Sequence, residues 1–327
     1  MVRLLKPGER VGEMEIVKRI TVLFSATIYQ AQRSDGQVFL KVAHPGFESR
    51  LMQEAIYLRS HSDPNLPHLL PAYEAARVEE APYGQIMFSS QPIMFTVYTK
   101  VDGTLLSDLL ARNSQLWIQH TGSIVLSIAK SLSQLHQRNK LHLAIHPKMI
   151  LIRYDKHQAP HPLLLDLGLL NNGVHIGDEA LKQNIPLEIT APELLSRAAY
   201  PSIRTDVYGL GMLLYQMLGG RSAFESISAN REEAEKAICA GMAAPLKRHE
   251  IETISEVCMR AIHKNPKGRY HDLASFSKAL RKQMLALPSQ PAKAYLDWQI
   301  VAAIVLAAFL IGFLLMLAFA LPIPAIS

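Results

Sequence analysis

The sequence predicts an α+β fold with two lobes, followed by one C-terminal transmembrane helix. Three observations predict this order. Short segments rich in β-branched and apolar residues, separated by turn signals, fill most of residues 1–101. Apolar residues at helical spacing dominate residues 102–285. A long uncharged apolar segment, Ile300 to Leu321, comes last.

The N-terminal lobe, residues 1–101, is predicted to be mainly sheet. The turn signal Ser34-Asp35-Gly36 separates two of its strands, and a short amphipathic helix is predicted from Phe47 to Ser60. Strands are predicted in four segments: Val11 to Ala31, Gln37 to Ala43, Leu69 to Val78 and Ile86 to Val101. A lobe boundary is expected between Tyr98 and Gly103.

The C-terminal lobe, residues 102–285, is predicted to be helical. One helix is indicated by four apolar residues at helical spacing: Ile124, Ile128, Leu132 and Leu135. The apolar runs Met149–Ile152 and Leu163–Leu167 interrupt the helices and predict a hairpin. The segment from Asp206 to Leu218 is apolar on nearly every side, which predicts a helix buried all round, and Gly219-Gly220 is expected to end it.

The segment from Ile300 to Leu321 is predicted to cross a membrane, in a helix of residues 299–321. It has no charged residue and would span roughly 33 Å as a helix, close to the hydrocarbon thickness of a bilayer. Trp298 stands at its edge, where interfacial aromatic residues are enriched. A buried core helix is the alternative interpretation, but core helices rarely run this long.

The charges around this segment predict its orientation. Four basic residues precede it and none follows it: Lys278, Arg281, Lys282 and Lys293. By the positive-inside rule the N-terminal domain is expected in the cytoplasm, joined to the membrane helix by a juxtamembrane linker of residues 286–298. Residues 322–327 are expected to form a short tail across the membrane. The expected localisation is a single-pass membrane protein, with the lipid bilayer as a partner through residues 299–321.

Composition argues against a nucleic-acid partner. The net charge of +6 is spread along the chain, without an arginine-rich arm or the spacing of a zinc module. The two cysteines, Cys239 and Cys258, stand in apolar helical patterns and are interpreted as buried thiols of a reducing compartment.

Four motifs follow one another in the second lobe. They are His142-Leu143-Ala144-Ile145-His146-Pro147-Lys148-Met149, Ala191-Pro192-Glu193, the segment from Thr205 to Gly220, and Asn265-Pro266-Lys267-Gly268-Arg269-Tyr270. In this order they resemble the catalytic loop, the end of the activation segment, the central helix and a late motif of bacterial-type Ser/Thr protein kinases. The resemblance covers residues 10–283 and implies the bilobal protein-kinase-like fold.

The resemblance assigns structural roles to three of these residues. In that family the Asp of the central helix accepts backbone hydrogen bonds from the catalytic loop, which implies the same role for Asp206. The Glu that closes the activation segment pairs with the Arg of the late motif. A buried Glu193–Arg269 pair is therefore implied, and it stabilises only if both partners are present.

The resemblance also implies a nucleotide site. Lys41 resembles the strand Lys that contacts the α- and β-phosphates, and Glu54 resembles the helix Glu that orients it. Asp166-Leu167-Gly168 resembles the Asp-Phe-Gly motif, so Asp166 is the candidate metal ligand. ATP and Mg²⁺ are the cofactors that this set implies. Each residue also has an alternative interpretation without the resemblance: Lys41 as an exposed strand lysine, Glu54 as a solvated helix carboxylate and Asp166 as a turn aspartate.

Six positions depart from the family pattern at the site of chemistry: Thr21, Leu23, Ala26, Ala144, His146 and Met149. The first three replace glycines that let backbone N–H groups approach phosphates. Ala144 replaces the catalytic Asp, and Met149 replaces the Mg²⁺-binding Asn with a soft thioether. His146 replaces a Lys; as a substitute base it competes with the interpretation of an ordinary loop histidine.

The sequence therefore favours a pseudokinase without phosphotransfer and without catalytic residues. Such a protein is expected to act as a scaffold or allosteric regulator in signalling, with protein partners at the membrane. Two alternatives stay open. One is a divergent Ser/Thr kinase that still uses Lys41, Glu54 and Asp166; the other is an ATP-binding sensor that transfers no phosphate.

Overall fold

The computed structural model describes residues 4–88, 91–112, 116–174, 185–196, 200–224, 231–241, 243–246 and 251–287. Met1–Ala286 form one compact unit, distinct from Leu287–Ser327. The predicted membrane helix of residues 299–321 lies outside the described residues, as do the tail 322–327 and most of the linker 286–298. Across the described ranges, no helix is both long and apolar enough to cross a bilayer.

The N-terminal lobe is an antiparallel sheet with one helix, α1 (Glu48–Ser60), packed beside it. Its strands are β1 (Arg10–Val11), β2 (Met14–Val22), β3 (Ala26–Arg33), β4 (Gly36–Ala43), β5 (Leu69–Leu70), β6 (Gly84–Phe88) and β7 (Gln91–Thr99). They neighbour one another in the order β1-β2-β3-β4-β7-β5, and β6 pairs with β7.

The two faces of this sheet pack against different parts of the molecule. One face forms the core of the lobe, with alternate residues of the central strands packed together: Tyr29 and Ala31, Val38, Leu40 and Val42, and Phe95 and Val97. Lys41 and Phe39 alternate with that set on β4, and Thr96 and Tyr98 lie opposite them on β7. Because successive side chains of a strand point to opposite faces, the second face carries these four residues toward the C-terminal lobe.

The C-terminal lobe consists mainly of helices. They are α2 (Leu106–Arg112), α3 (Ile118–His136), α4 (Pro192–Leu195), α5 (Ile203–Gly219), α6 (Arg231–Ala240), α7 (Glu252–Ala261) and α8 (Leu273–Ala286). A small antiparallel sheet, β8 (Thr104–Leu105), β9 (Ile150–Tyr154) and β10 (Pro160–Leu164), lies beside them. Short 3₁₀ turns occur at Pro147–Met149, Leu187–Ile189 and Pro266–Gly268.

Helix α5 is the buried centre of this lobe. From Thr205 to Leu218 every residue except Gln216 is buried, and the helix packs against α3 and α7. Ser202 N donates to Thr205 Oγ1 over 3.0 Å at the first turn. Gly220 ends the helix with φ +73, a left-handed conformation that glycine adopts without steric cost.

Two strand predictions need correction. The strand predicted from Leu69 to Val78 stops at Leu70, because Pro71 has no N–H for the sheet and turns held by Ala76 N→Tyr73 O follow. The segment predicted as a strand from Ile86 to Val101 is divided into β6 and β7, which pair with each other as a hairpin.

Candidate functional site

Lys41 stands at the centre of a buried charge cluster between the lobes. Its Nζ lies 2.7 Å from both carboxylate oxygens of Glu54 on α1, and 2.6 Å from Oδ2 of Asp166. The side chains of Lys41, Glu54 and Asp166 are 2%, 4% and 1% exposed. The structure thus brings together the three residues assigned to the nucleotide site, with one ammonium shared by two carboxylates.

The pKa values in this cluster follow from burial and mutual attraction. Burial opposes ionisation of Asp166, but the Lys41 ammonium outweighs it and holds the pKa of Asp166 below its ordinary value. Burial raises the pKa of Glu54 in spite of the same ammonium. For Lys41 itself, burial is outweighed by Asp166 and Glu54, which together raise its pKa. Lys41 and Asp166 are therefore charged at neutral pH.

Tyr98 adds a neutral hydrogen bond to the cluster. Its hydroxyl donates to Oε1 of Glu54 over 2.7 Å and accepts from Thr96 Oγ1 over 2.9 Å. Burial, followed by the charge of Glu54, holds the pKa of Tyr98 well above its ordinary value, so the phenol stays protonated. Glu54 is thus held by Lys41 and Tyr98 together, and Leu167 N also donates to its Oε2 over 3.2 Å.

The hairpin of β2 and β3 folds over the cluster. Leu23 N donates to Ala26 O over 2.9 Å and closes the turn, and Ser25 Oγ at the tip donates to Oδ2 of Asp166 over 3.3 Å. Thr21, Leu23 and Ala26, the positions without the expected glycines, are all buried. Side chains and a hydroxyl contact therefore occupy the place where glycines would leave backbone N–H groups accessible to phosphates.

The catalytic-loop positions Ala144 and Met149 are closed to solvent. Ala144 is 0% exposed and Met149 is 1% exposed. A methyl group at Ala144 has no proton acceptor, and a thioether at Met149 is a poor ligand for Mg²⁺, which prefers oxygen. This loop therefore offers no general base at the expected position and no oxygen for a second metal contact.

His146 has one ring nitrogen in a hydrogen bond and the other near a carboxylate. Nδ1 accepts a hydrogen bond from Lys148 N over 3.1 Å, which places the proton of a neutral imidazole on Nε2. Nε2 lies 3.7 Å from Oε1 of Glu188, and the imidazole lowers the pKa of the Glu188 carboxyl. This geometry favours an ordinary loop histidine that caps a turn over a base acting on a hydroxyl.

Asp206 on α5 holds the backbone of the catalytic loop, residues 142–149. Its Oδ2 accepts from His142 N over 2.8 Å and lies 2.8 Å from His136 Nε2, while Oδ1 accepts from Leu143 N over 2.6 Å. Leu143 has φ +63, a conformation that costs an L residue about 1–2 kcal/mol. The Asp206 carboxylate thus holds a strained loop backbone although the loop lacks its catalytic Asp.

Glu193 and Arg269 form a buried, bidentate ion pair. Arg269 Nη1 lies 2.7 Å from Glu193 Oε1 and Nη2 lies 2.8 Å from Oε2, with the two side chains 0% and 3% exposed. Thr205 Oγ1 also donates to Glu193 Oε1 over 2.9 Å. Glu193 and Arg269 therefore form the pair that the resemblance implies. Together with Thr205, the pair connects α4 to α5 and to the loop before α8.

Gly168 permits the close approach of two loops beside Asp166. Its φ is +64, and an added Cβ would lie 2.2 Å from the carbonyl oxygen of His142. We expect Gly168→Ala to lower the free energy of unfolding by at least about 2 kcal/mol, from backbone strain plus overlap. Gly173→Ala is the matched control, because φ is +79 there but the nearest atom is 3.9 Å away. Equal losses in chemical unfolding of the two variants would contradict the overlap.

A cavity of about 500 Å³ remains at the mouth of the cleft. Its walls include Ile20, Gln30, Phe39, Leu151 and the connection from Lys100 to Thr104, but not the charge cluster. Phe39 is 3% exposed and lies on the Lys41 face of β4, two residues away. The inner end of the cleft is closed, whereas its mouth has the volume of a small-molecule site.

Asp166 is the carboxylate that would contribute to the Mg²⁺–ATP complex that the resemblance implies, and both of its oxygens are engaged within the protein. Mg²⁺ takes near-octahedral oxygen ligands, most of them from water and from substrate phosphates, with one or two protein carboxylates. Oδ1 of Asp166 accepts from Gly168 N over 2.6 Å, and Oδ2 is held by Lys41 and Ser25. Within the described residues, no group of three or more His, Cys, Asp or Glu side chains could hold a metal ion.

Four residues of the site escaped the sequence analysis: Ser25, Phe39, Tyr98 and His136. Phe39 could have been predicted from the sequence, because strand alternation places it on the same face as Lys41. The other three contact partners far away in the chain, for example 141 residues from Ser25 to Asp166. No local signal identifies such partners.

Comparison with known proteins agrees with this architecture. A family profile described as "Protein kinase domain" matches residues 35–285. The crystal structure of the Mycobacterium tuberculosis PknI kinase domain covers 86% of this chain with a TM-score of 0.58 and 19% identity, and all of that domain is covered. At this identity the likeness shows the fold.

The chain is also similar to two longer bacterial proteins. It is 25% identical over 264 residues to Serine/threonine-protein kinase PknB of Mycobacterium leprae (strain TN), which covers 77% of this chain and 39% of that protein. It is 23% identical over 295 residues to Serine/threonine-protein kinase Pkn1 of Myxococcus xanthus, which covers 84% of this chain and 38% of that protein. The chain thus spans about two fifths of the length of these relatives.

Proposed function

This chain belongs to the protein kinase domain family, and on that premise we propose that it is a membrane-anchored pseudokinase. In this proposal the kinase-like domain binds partner proteins at a membrane and acts as a scaffold or allosteric regulator, without phosphotransfer. The observation that carries the proposal is the catalytic loop, where Ala144 replaces the proton acceptor and Met149 the metal ligand, and the closed charge cluster beside it adds support. Lys41 is already neutralised by Glu54 and Asp166, and Ser25 holds the remaining approach to Asp166.

The catalytic loop supports the same proposal. Phosphotransfer to a hydroxyl requires a group that orients the hydroxyl and accepts its proton, and general-base assistance contributes roughly 10²–10⁴-fold, or about 3–5 kcal/mol of barrier. Ala144 supplies neither, and Met149 supplies no oxygen. Asp206, Glu193 and Arg269 meanwhile keep the contacts that hold the loop and the end of the activation segment at Glu193. The contacts that hold the kinase-like architecture are thus retained, whereas the residues that phosphotransfer needs are replaced.

Phosphate transfer and nucleotide binding test this proposal directly. We expect the full chain, purified in detergent, to incorporate no phosphate from labelled ATP and to show no change in Tm with millimolar ATP and Mg²⁺. A ligand at 100 times its Kd would stabilise the fold by about 2.7 kcal/mol and raise the Tm by roughly 5–10 °C. Transfer that disappears in Asp166→Asn would overturn the proposal in favour of a divergent Ser/Thr kinase.

One observation favours a second candidate, a nucleotide-binding sensor. Kinase domains of this family in general bind ATP and Mg²⁺, so both are compatible ligands. The cavity of about 500 Å³ at the mouth of the cleft leaves room for part of such a molecule. A Tm increase with ATP, unaccompanied by phosphate transfer, would favour the sensor over the scaffold. A Mg²⁺ dependence of that increase that is lost in Asp166→Asn would indicate that Asp166 binds the metal.

Membrane anchoring through residues 299–321 is supported by the sequence alone. We expect the full chain to remain with liposomes after an alkaline wash and to float with them in a density gradient. A chain that lacks residues 299–321 is the control and is expected to stay at the bottom. Equal behaviour of the two chains would overturn the anchor.

The scaffold role requires a protein partner. We expect crosslinking in intact membranes, followed by purification of the full chain, to recover the same partner repeatedly. Arg269→Met, which breaks the buried pair beneath the activation segment, is expected to reduce that recovery. Recovery of no partner with the native chain would overturn the scaffold role but leave the anchor standing.

A further inference from the structure

The cavity of about 500 Å³ at the mouth of the cleft has an excess of positive charge along its wall. Four basic and two acidic residues line it, and the buried residues Lys41, Glu54 and Asp166 do not. One acidic residue is already neutralised, because Lys100 Nζ pairs with the carboxylate of Asp102. The charge that remains on the wall favours an anion in this space.

Paired residues of three neighbouring strands set the geometry of the N-lobe wall. Lys18 on β2 pairs with Gln30 on β3, and Gln30 pairs with Phe39 on β4. Directly paired residues of an antiparallel sheet share a face, so Lys18 lies on the cleft face with Phe39. Neighbouring strands are about 4.8 Å apart, which places the backbone of Lys18 roughly 10 Å from that of Phe39. Lys18 therefore stands at the outer end of the wall.

Two cations of the wall are available to a ligand. Lys18 is exposed on β2, and Arg112 is exposed at the last position of α2. Neither forms an ion pair or a side-chain hydrogen bond with another residue that the structure describes. Lys and Arg side chains bind phosphate oxygens through charge-assisted hydrogen bonds. An anionic group at the outer end of the cavity would therefore meet cations from both lobes.

The inner end of the cavity is apolar. Phe39 on β4 and Leu151 on β9 line it from the two lobes, and both are buried. Phe39 stands two residues before Lys41 on the same face of β4, and the cavity ends at Phe39 without including Lys41. A ligand in this space can therefore place an apolar group inward, whereas its charged group has Lys18 and Arg112 at the outer end.

We propose that this cavity binds a small organic phosphate without a metal ion, with the apolar part of the ligand against Phe39 and Leu151 and its phosphate between Lys18 and Arg112. A phosphate monoester carries up to about two negative charges and three acceptor oxygens, so it suits two separate cations. This orientation is opposite to that implied by the resemblance, in which phosphates point inward to Lys41. The inference rests on the sensor candidate only in using the same cavity.

A probe with one apolar and one charged end tests the inference. 2-Naphthyl phosphate joins two fused rings to a single phosphate, and isothermal titration calorimetry of the full chain in nonionic detergent measures its Kd. We expect binding without Mg²⁺, and at least about tenfold weaker binding of inorganic phosphate and of 2-naphthol, because each carries only one of the two ends. Failure of 2-naphthyl phosphate to bind, or equal binding of inorganic phosphate or 2-naphthol, would overturn the inference.

Charge variants locate the phosphate. Lys18→Gln combined with Arg112→Gln is expected to raise the Kd of 2-naphthyl phosphate at least about fivefold. The matched control is Lys278→Gln with Lys282→Gln, which removes the same charge from two exposed residues of α8 outside the cavity wall and should leave the Kd unchanged. All four residues are exposed, so we expect the Tm of both variants to match that of the native chain. Equal weakening by the two variants would overturn the assigned contacts.

Two further measurements test the orientation of the probe. Saturation-transfer NMR is expected to show the stronger effect on the ring of 2-naphthyl phosphate that lies farther from the phosphate, because that ring is placed against Phe39 and Leu151. A stronger effect on the ring next to the phosphate would overturn the orientation. Addition of Mg²⁺ is expected to leave the Kd unchanged, and a clear strengthening by Mg²⁺ would overturn the metal-free site.

The outcomes separate this inference from the functions proposed above. A Tm increase with ATP, without binding of 2-naphthyl phosphate, would overturn the inference and leave the nucleotide sensor standing. Binding of 2-naphthyl phosphate without any effect of ATP would support the inference and overturn the nucleotide sensor. Transfer of phosphate from labelled ATP would overturn the pseudokinase proposal, and the binding of 2-naphthyl phosphate would still decide this inference.

Discussion

Lys41→Met is expected to lower the free energy of unfolding by about 3–5 kcal/mol. The reason is that Glu54 and Asp166, 4% and 1% exposed, would lose their shared cation in the interior. Breaking a buried ion pair by removing one partner leaves an uncompensated charge, and here two carboxylates are left 2.6–2.7 Å from the vacated position. Chemical unfolding of the full chain in detergent, followed by circular dichroism, measures the loss.

The pH dependence of this loss identifies its cause. Without Lys41 the pKa of both carboxyls should rise above the unfolded values of about 3.9 and 4.3, so the folded state binds more protons than the unfolded state. Stability then falls as pH rises through the interval between the unfolded and the raised folded pKa. We therefore expect the loss caused by Lys41→Met to be smaller at pH 5 than at pH 7.

The native cluster combines opposite pH effects. The lowered pKa of Asp166 contributes stability that is present above its unfolded pKa and is lost as pH falls through the folded value. The raised pKa of Glu54 acts in the opposite direction: it contributes stability that is present below its unfolded pKa and is lost as pH rises through the folded value. The two contributions partly offset each other while Lys41 is present.

Lys100→Met is the matched control for this prediction. Lys100 also pairs with a carboxylate, that of Asp102, but the side chain of Asp102 is 93% exposed. An exposed ion pair contributes little, because water screens both charges before and after the substitution. We expect no measurable shift of its unfolding transition. Equal transitions for Lys41→Met and Lys100→Met would contradict the role assigned to the buried cluster.

The sequence predicts contacts between residues of recognisable motifs far better than contacts that form only when distant segments pack around the cleft. Lys41, Glu54 and Asp166 could be assigned because each stands in a local pattern. Ser25 and Tyr98 stand in no such pattern, although they complete the hydrogen bonds of Asp166 and Glu54. Their partners depend on how the hairpin and β7 pack, which is decided by the whole sheet.

The β2–β3 hairpin shows a second limit. Its register shifts between Ile16 and Lys18 and again between Arg19 and Thr21, so two irregularities interrupt the alternation of faces. Because one inserted residue moves every later side chain to the other face, strand periodicity alone cannot place Thr21 inside. Helix α5 has no such ambiguity: it is apolar on nearly every side, and its burial was predicted from composition.

Arg269→Met is expected to cost about 3–5 kcal/mol in the C-terminal lobe. Glu193 would keep a carboxylate that is 3% exposed and has only Thr205 Oγ1 as a remaining side-chain donor among the contacts described above. The carbonyl oxygens of His263 and Arg204, which accept from Arg269 over 2.6 and 3.0 Å, would also lose a donor. The guanidinium further stacks 4.7 Å from the ring centroid of Tyr208.

Two variants distinguish the forked geometry from charge alone. Arg269→Lys keeps the positive charge but cannot form two parallel bonds to Glu193, so we expect an intermediate loss of about 2 kcal/mol. Arg260→Met is the control: Arg260 is exposed and stacks 4.4 Å from the Tyr270 ring centroid, so its loss should be about 0.5–1 kcal/mol.

A double variant isolates the pair itself. When Glu193→Gln is combined with Arg269→Met, no buried charge is left unpaired, so the combined loss should be smaller than the sum of the two single losses. Chemical unfolding of the four proteins yields the coupling energy directly. Simple additivity would mean that Glu193 and Arg269 act independently. The end of the activation segment, residues 189–193, would then be held by packing around Ala191 and Ile189 and not by the ion pair.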